Sequence, residues 1–426
     1  MRILFATEYY HPWVPGGTVW SLELLARALR ARGDEVAVVT PNYGAPAREA
    51  VNGVPVVRFP VGCSLPPGSR SAPTSTLVNP LFHLRFARAL VRAGREFGAE
   101  LIHAQEKHAL VGAWVAGRWL RLPVVLSLRD YGLICPIATC LLTHAHVPAD
   151  CSQRKLQREC APIYFTRYGL PDRARARAKL ALLYLDARLK TRLLRTARLA
   201  VVGVSAAVLD IYRRAGRIRP EQGRVVYNLP PAVAADAPPV DRAPVLAAFG
   251  LPDRPLVLYV GKLSLGKGFP VFVEASGLVA ARRPDAVFVA VGDGPAPAPR
   301  AGVDLRCLGP RAHEEVEALY AVAAVVVQPA VWPEPFSRVT LEAAAFGKPL
   351  VGTRIGGTPE AVEDKRTALL VERNDPHALA DAVVQLLADA ALRRSLGAGA
   401  RALVAEKFAP AGVVEELRAD YRDARA

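Results

Sequence analysis

The sequence predicts an α/β protein with two doubly wound, Rossmann-like domains facing across a cleft. Three observations carry this. Strand and helix patterns alternate from the first residue onward. The alternation stops in a proline- and alanine-rich stretch and then starts again. The chain has 426 residues, too many for one ordinary core but suited to two domains of about 200 each.

The elements follow in order. RILFAT is a strand, HPWVPGG a loop, TVWSLELLARALRARG a helix with apolar residues at helical spacing, and DEVAVVT the next strand. Strand, loop, helix and strand in this length make a right-handed parallel unit. ELIHA (100–104) and PVVLSL (123–128) are strands around a helix near Leu110–Leu120. ARLAVVG (197–203) leads through Ser205 into a helix, and RVVYN (224–228) closes the first half. LPPAVAADAPPVDRAP (229–244) has no period and reads as linker. PLVLYVG, a helix from Pro270, AVFVAVGDG, VDLRCLG, a helix from His313, AAVVVQP, a helix through Glu342 and KPLVGT then build a second parallel sheet. Helices follow from Pro376. The expected boundaries are 1–228 for the first domain, 229–254 for the linker and 255–405 for the second domain. A terminal helix at 406–426 is expected to pack back towards the first domain.

Composition bounds the function. The apolar share of 51% can fill two cores, and 22% charged residues of both signs argue against general disorder. The formal charge of +16 favours anionic partners. The start, MRILFATEYY, lacks the longer apolar core of a secretion signal. No stretch approaches the ~18 uninterrupted apolar residues of a membrane span. The expected place is the cytoplasm, either free or with a peripheral hold on the inner membrane face.

The chemistry concentrates in EPFSRVTLE, Glu334 to Glu342. Glu334 falls just after a strand, where α/β sheets bind ligands. Pro335 and Phe336 turn the chain, and a helix starts near Ser337 or Arg338. Its free N–H groups and positive dipole end suit a diphosphate. Glu342 lies two turns on, and a carboxylate there can accept two hydrogen bonds from a vicinal diol such as a ribose. Glu334 can do the same for a sugar ring. Two glutamates eight apart also arise by chance, so the neighbours matter. YVGKLSLGKG (259–268) sets Lys262 and Lys267 beside glycine-permitted turns, where two cations can neutralise a leaving diphosphate; a solvated basic loop is the plainer alternative. VGDGP (291–295) is a strand-end turn in which Asp293 is structural. GTRIGGTPE (352–360) is a second glycine-rich turn near the same place.

In order and spacing, GK…GKG, GDGP, EPFSRVTLE and GTRIGGTPE resemble family 4 of the retaining glycosyltransferases, whose fold is GT-B. The resemblance spans nearly the whole chain and is densest from 256 to 372. It implies a donor site of Gly16, Gly17, Gly261, Lys262, Lys267, Glu334, Pro335, Phe336, Ser337, Arg338, Val339 and Glu342. In it Lys262 and Lys267 hold the diphosphate. Glu334 and the backbone of Phe336 and Ser337 hold the sugar, and Glu342 holds the ribose. It implies Glu334, Lys267, Lys262 and Arg129 as the catalytic set. The donor is a UDP- or GDP-sugar, the acceptor a glycan or lipid-linked sugar, and neither a cofactor nor a catalytic metal is required. No Asp-x-Asp motif for a metal-bridged diphosphate is present. Three positions depart from the family. Lys262 stands where arginine is common, which keeps the charge and loses the bidentate fork. Ser337 replaces the usual glycine. Arg129 replaces a histidine near the reacting sugar, and it donates hydrogen bonds but is no general base.

In the first half, Gly16 and Gly17 follow the first strand and let the backbone approach a phosphate. LIHAQEKHALVGAW and VVLSLRDYGLICP resemble the family's acceptor-side strand ends, which makes His103, His108 and Asp130 acceptor-side candidates. The histidines also read as structural hydrogen-bonding residues, and Arg129–Asp130 as a plain ion pair. Cys135, Cys140, Cys151 and Cys160, with His144 and His146, can make a structural zinc site, or be free, partly buried thiols; no CxxC hook is present. Residues 164–198 are basic with interleaved leucines, which suits either an anionic membrane or a solvated helix covering the core. A related sugar-nucleotide epimerase and a basic binding protein for membrane or nucleic acid are the competing functions. Nucleic acid is not expected as a partner, and a dehydrogenase is disfavoured because no clean G-x-G-x-x-G follows the first strand.

Overall fold

The computed structural model describes residues 1–66, 72–197, 199–233 and 240–425. They form two compact units, Met1–Leu229 with Pro410–Ala426, and Pro230–Ala409.

The first unit has eight strands, β1 (Arg2–Ala6), β2 (Glu35–Asn42), β3 (Arg48–Val51), β4 (Val54–Pro60), β5 (Leu101–Ala104), β6 (Val124–Leu128), β7 (Ala200–Gly203) and β8 (Arg224–Val225). Their order is β3-β4-β2-β1-β5-β6-β7-β8, parallel except for the β3–β4 pair. The central strands are apolar on both faces because helices cover both sides of the sheet. The helix Gly17–Ala31 buries Leu22, Leu25, Ala26 and Leu29 on its inner face. The helix Pro80–Phe97 carries complete end signals. Asn79 accepts from the Leu81 amide, Pro80 takes the first position, and Gly98 ends it in the left-handed region.

The terminal helix Pro410–Arg425 belongs to this unit, against the helix Gly17–Ala31 and β6. It buries Val413, Val414, Leu417 and Tyr421. Asp420 accepts from Arg224 at 2.9 Å, and Arg418 lies 3.2 Å from Asp34.

The second unit is one parallel sheet of β9 (Leu256–Val260), β10 (Val287–Val291), β11 (Leu305–Gly309), β12 (Val325–Gln328), β13 (Leu350–Thr353) and β14 (Ala368–Val371). The order is β11-β10-β9-β12-β13-β14. Alternate residues enter opposite cores. Val257, Tyr259 and Phe288 join Phe272, Leu379 and Leu386 on one face. Leu256, Leu258 and Val289 join Leu319 and Tyr320 on the other.

The interval read as linker carries a helix, Arg242–Ala248, capped by Asp241 and burying Leu246. Proline enrichment hid it, since a proline in a first turn has no N–H that the helix needs. Residues 234–239 of that interval lie outside the described residues. No described helix is long and apolar enough to cross a membrane.

Candidate active site

In the second unit, the loop after β9 and the loop after β12 are fastened together. The amides of Val331 and Trp332 donate to Gly266 O at 3.0 and 3.2 Å. A Cβ on Gly268, whose φ is +73°, would fall 1.6 Å from Pro329 O, so only glycine permits this approach. Tyr259 Oη donates to Lys262 O at 2.7 Å and holds the loop's start. Gly261 is also left-handed, at φ 145°.

The two loops bring together two residues that are 67 apart in sequence. Lys267 Nζ lies 2.5 Å from Glu334 Oε1. Trp332 Nε1 donates to the same oxygen at 2.6 Å, and the Lys267 ammonium sits 5.8 Å from the Trp332 ring centre. Glu334 is buried, while Lys267 is 37% exposed, so the lysine stays open to solvent. The Gly356 turn packs on the Glu334 backbone. A Cβ there would meet Glu334 O at 2.3 Å, and Gly357 N donates to that oxygen at 2.7 Å. GTRIGGTPE therefore positions Glu334 directly. Lys262 is exposed.

The helix after this turn runs from Arg338 to Ala345 with Ser337 as its cap. The Ser337 hydroxyl accepts from the Thr340 amide at 3.3 Å and is buried. That explains the departure from glycine, because the side chain serves the helix. Ser337→Ala is expected to cost about 1 kcal/mol, and Ser337→Gly only about 0.3 kcal/mol, read from urea-denaturation midpoints. Val339 is partly buried and packs against the core cluster that holds Tyr320. Pro335 and Phe336 are buried, with Phe336 edge-on to Phe408 at 5.5 Å. Glu342 is buried and accepts from Arg338 Nη2 at 2.8 Å and Tyr320 Oη at 3.0 Å. Both partners fix the carboxylate one helical turn behind the helix start.

In the first unit, Gly16 and Gly17 open the helix Gly17–Ala31 and are exposed. Nothing lies within 4 Å of a Cβ built on Gly16. Arg129 donates from Nε to Gln105 at 3.0 Å and from Nη1 to Asn228 at 2.6 Å. Asp130 stands 3.9 Å from Lys107 Nζ and accepts from the Gly132 amide.

His103 makes the hydrogen bonds of its structural reading. It is buried in the sheet, with Nδ1 2.7 Å from Tyr421 Oη and Nε2 2.8 Å from Ser127 Oγ. Burial, then Arg129, hold its pKa well below the ordinary value, which keeps the ring neutral. His108 is also buried, 3.2 Å from Lys190 Nζ. Burial and Lys190 keep it neutral too.

Three carboxyl groups each stand two residues past a strand end: Glu8 after β1, Glu106 after β5 and Asp130 after β6. The first two were missed in the sequence. Glu106 accepts from the Glu8 amide at 2.8 Å and Thr7 Oγ1 at 3.1 Å. Glu8 accepts from the His108 amide at 3.0 Å. Burial, then Glu106, push the Glu8 carboxyl up to about 8. Burial raises Glu106 as well, whereas Asp130 raises Lys107. A protonated acid, carboxylates and a cation at strand ends can bind several hydroxyls at once. A glutamate at the same offset after two parallel strands was the available signal.

Cys135, Cys140, Cys151 and Cys160 line one cavity of about 120 Å³ with His144 and Glu159. All are free thiols. Burial pushes Cys135 up to about 11 and Cys140 up to about 12. Among the described residues no three His, Cys, Asp or Glu side chains could hold a metal ion. The zinc expectation therefore lacks a ligand cluster, in keeping with the missing CxxC hook.

Comparison with known proteins agrees with both units. Residues 16–229 match the family described as glycosyl transferase 4-like domain, and residues 254–389 match glycosyl transferases group 1. The chain belongs to this group 1, family 4 glycosyltransferase family. It is 33% identical to the alpha-D-kanosaminyltransferase of Streptomyces kanamyceticus over 190 residues, 43% of this chain and 49% of that protein. It is 36% identical to the D-inositol 3-phosphate glycosyltransferase of Corynebacterium glutamicum (strain R) over 185 residues, 40% of this chain and 44% of that protein. The chain thus spans about half the length of the curated relatives it matches. The structure of Anabaena HepE in complex with UDP-glucose shares the fold, with TM-score 0.68 and 22% identity, covering 99% of this chain and 100% of that one.

Proposed function

We propose that the protein is a retaining, metal-independent glycosyltransferase that moves a sugar from a UDP- or GDP-sugar to a glycan or lipid-linked acceptor. The observation that carries this is the Lys267–Glu334 pair, held between two glycine-dependent loops beside the start of the helix Arg338–Ala345. Glu334 orients the sugar hydroxyls, and Glu342 receives the ribose diol in exchange for part of its Arg338 and Tyr320 bonding. Lys267, Lys262 and the helix amides take up charge on the departing diphosphate. The acceptor oxygen bonds to the anomeric carbon as the carbon–phosphate oxygen bond breaks. The acceptor proton passes to the leaving phosphate on the same face, so the configuration is kept and no side-chain base is needed. Two lysines can supply the charge that a metal would otherwise supply. The acceptor hydroxyls meet the Glu8, Glu106 and Asp130 strand ends. We place the enzyme at the cytoplasmic face of an anionic membrane.

A thermal-shift panel of UDP-, GDP- and ADP-sugars, with magnesium and with chelator, tests this. One base class is expected to raise the midpoint equally in both conditions. Glu342→Ala is expected to weaken that nucleotide roughly 10–100-fold, the worth of hydrogen bonds to a charged group. No shift with any nucleotide, or full retention in the variant, would overturn the donor assignment.

A further inference from the structure

The segment 164–198 is two helices rather than one, Ala161–Arg167 and Ala174–Thr196. The longer helix is apolar on two faces. Its inner face buries Leu180, Tyr184, Ala187 and Leu194, which is the covering role expected of a surface helix. The outer face carries Leu182, Leu185 and Leu189, exposed by 68%, 50% and 59%. Their spacing of three and four residues makes one stripe along the helix. Solvated helices put charge on that face, and a continuous exposed leucine stripe marks a binding surface.

The residues around the stripe identify the partner. Arg175, Lys179, Arg188, Arg192 and Arg195 are all exposed and lie on or beside it by helical geometry. The one acid of the helix, Asp186, is bound to the buried Lys190 at 2.7 Å. At the entrance, Arg177 pairs with Asp172 and exchanges hydrogen bonds with Gln157, fixing the first turn. Arginines and lysines flanking leucines fit a surface that is anionic outside and apolar a few ångströms deeper. A second copy fits badly, because the stripe's arginines would face arginines on a chain of charge +16. Nucleic acid would satisfy the cations and leave the leucines in water.

We propose that the outer face of the helix Ala174–Thr196 docks the protein on an anionic lipid bilayer, with Leu182, Leu185 and Leu189 inserted among the acyl chains and the flanking basic residues on the headgroups. This deepens the membrane placement given above and rests on it. Helices of this composition lie in the interface plane, and each basic residue near the surface adds attraction that salt screens.

Flotation of the full chain with vesicles tests the proposal without donor or acceptor, so its outcome is independent of sugar transfer. The wild type is expected to float with phosphatidylcholine–phosphatidylglycerol vesicles, to stay behind with phosphatidylcholine alone, and to be partly released by high salt. The triple variant Leu182→Ser, Leu185→Ser, Leu189→Ser keeps every charge and is expected to bind at least about tenfold more weakly. Its thermal midpoint should fall by only a few degrees, because the side chains are exposed and serine lowers helix propensity by a few tenths of a kcal/mol per site. Arg188→Glu with Arg192→Glu should lose the preference for anionic lipid. A wild type that does not float, or a triple variant that floats as well as the wild type, would overturn the proposal. So would a dimer in light scattering that the triple variant abolishes, because the stripe would then join two copies.

Discussion

Lys267→Ala is expected to lower kcat/KM for donor turnover by about 10²–10³-fold, the usual cost of removing one preorganised charge from a transition state. The effect should fall mainly on kcat, because charge builds on the diphosphate as the sugar bond breaks. The geometry sharpens this. Lys267 Nζ already sits 2.5 Å from Glu334 Oε1, so the variant also leaves that buried carboxylate with only the Trp332 indole of the two donors named above. Both functions are lost at once, and a second variant separates them. Lys267→Ala combined with Glu334→Gln removes the stranded charge and should recover any lost stability, which isolates the stranded-charge part of the effect. Nucleotide release measured beside thermal midpoints distinguishes the two. Activity within about fivefold of wild type in Lys267→Ala would show that this lysine faces no developing charge.

Much of this site is legible in the sequence because its parts are local. Glu334, Ser337 and Glu342 follow one another through one strand exit, one turn and one helix, so short-range chain geometry sets their relation. The Lys267–Glu334 contact is different. It spans two loops of one sheet and arises only because β9 and β12 are neighbours, a pairing that no local pattern states; the close approaches at Gly268 and Gly356 become visible once the strands are placed.

What the reading lost has physical reasons. The β3–β4 hairpin was passed over although Asn52 and Gly53 hold φ of 50° and 76°, the signature of a tight turn between strands. It stayed hidden because β3, REAV, has no apolar run. Short β14, ALLV, gave too little length to separate strand from helix. His103 carries two readings, acceptor-side contact and structural hydrogen-bonding residue, and one of its partners, Tyr421, lies 318 residues away. No local pattern carries a contact of that length. The acids at Glu8 and Glu106 were missed for the same reason, being adjacent only through the pairing of β1 with β5.

Those acids give the second large effect, on stability. The folded chain holds a proton on Glu8 up to about 8, while the unfolded carboxyl releases it near 4.5. Between these values the native state binds more protons than the unfolded state, so stability falls as pH rises. Glu8→Gln keeps the shape and cannot ionise. It is expected to match wild type near about pH 5 and to exceed it by on the order of 1–3 kcal/mol at about pH 9, read from urea denaturation across pH. Part of the slope should survive, since burial raises Glu106 too. The Glu8 amide that donates to Glu106 at 2.8 Å is kept in the variant. A Glu8→Gln curve running parallel to wild type would show that Glu8 does not hold the proton. On the function proposed above, these acids bind acceptor hydroxyls, and the ionisable pair is retained at a cost in stability. The more stable variant is therefore expected to transfer sugar more slowly while its donor-induced thermal shift stays the same, because Glu8 belongs to the other unit from the Lys267–Glu334 site.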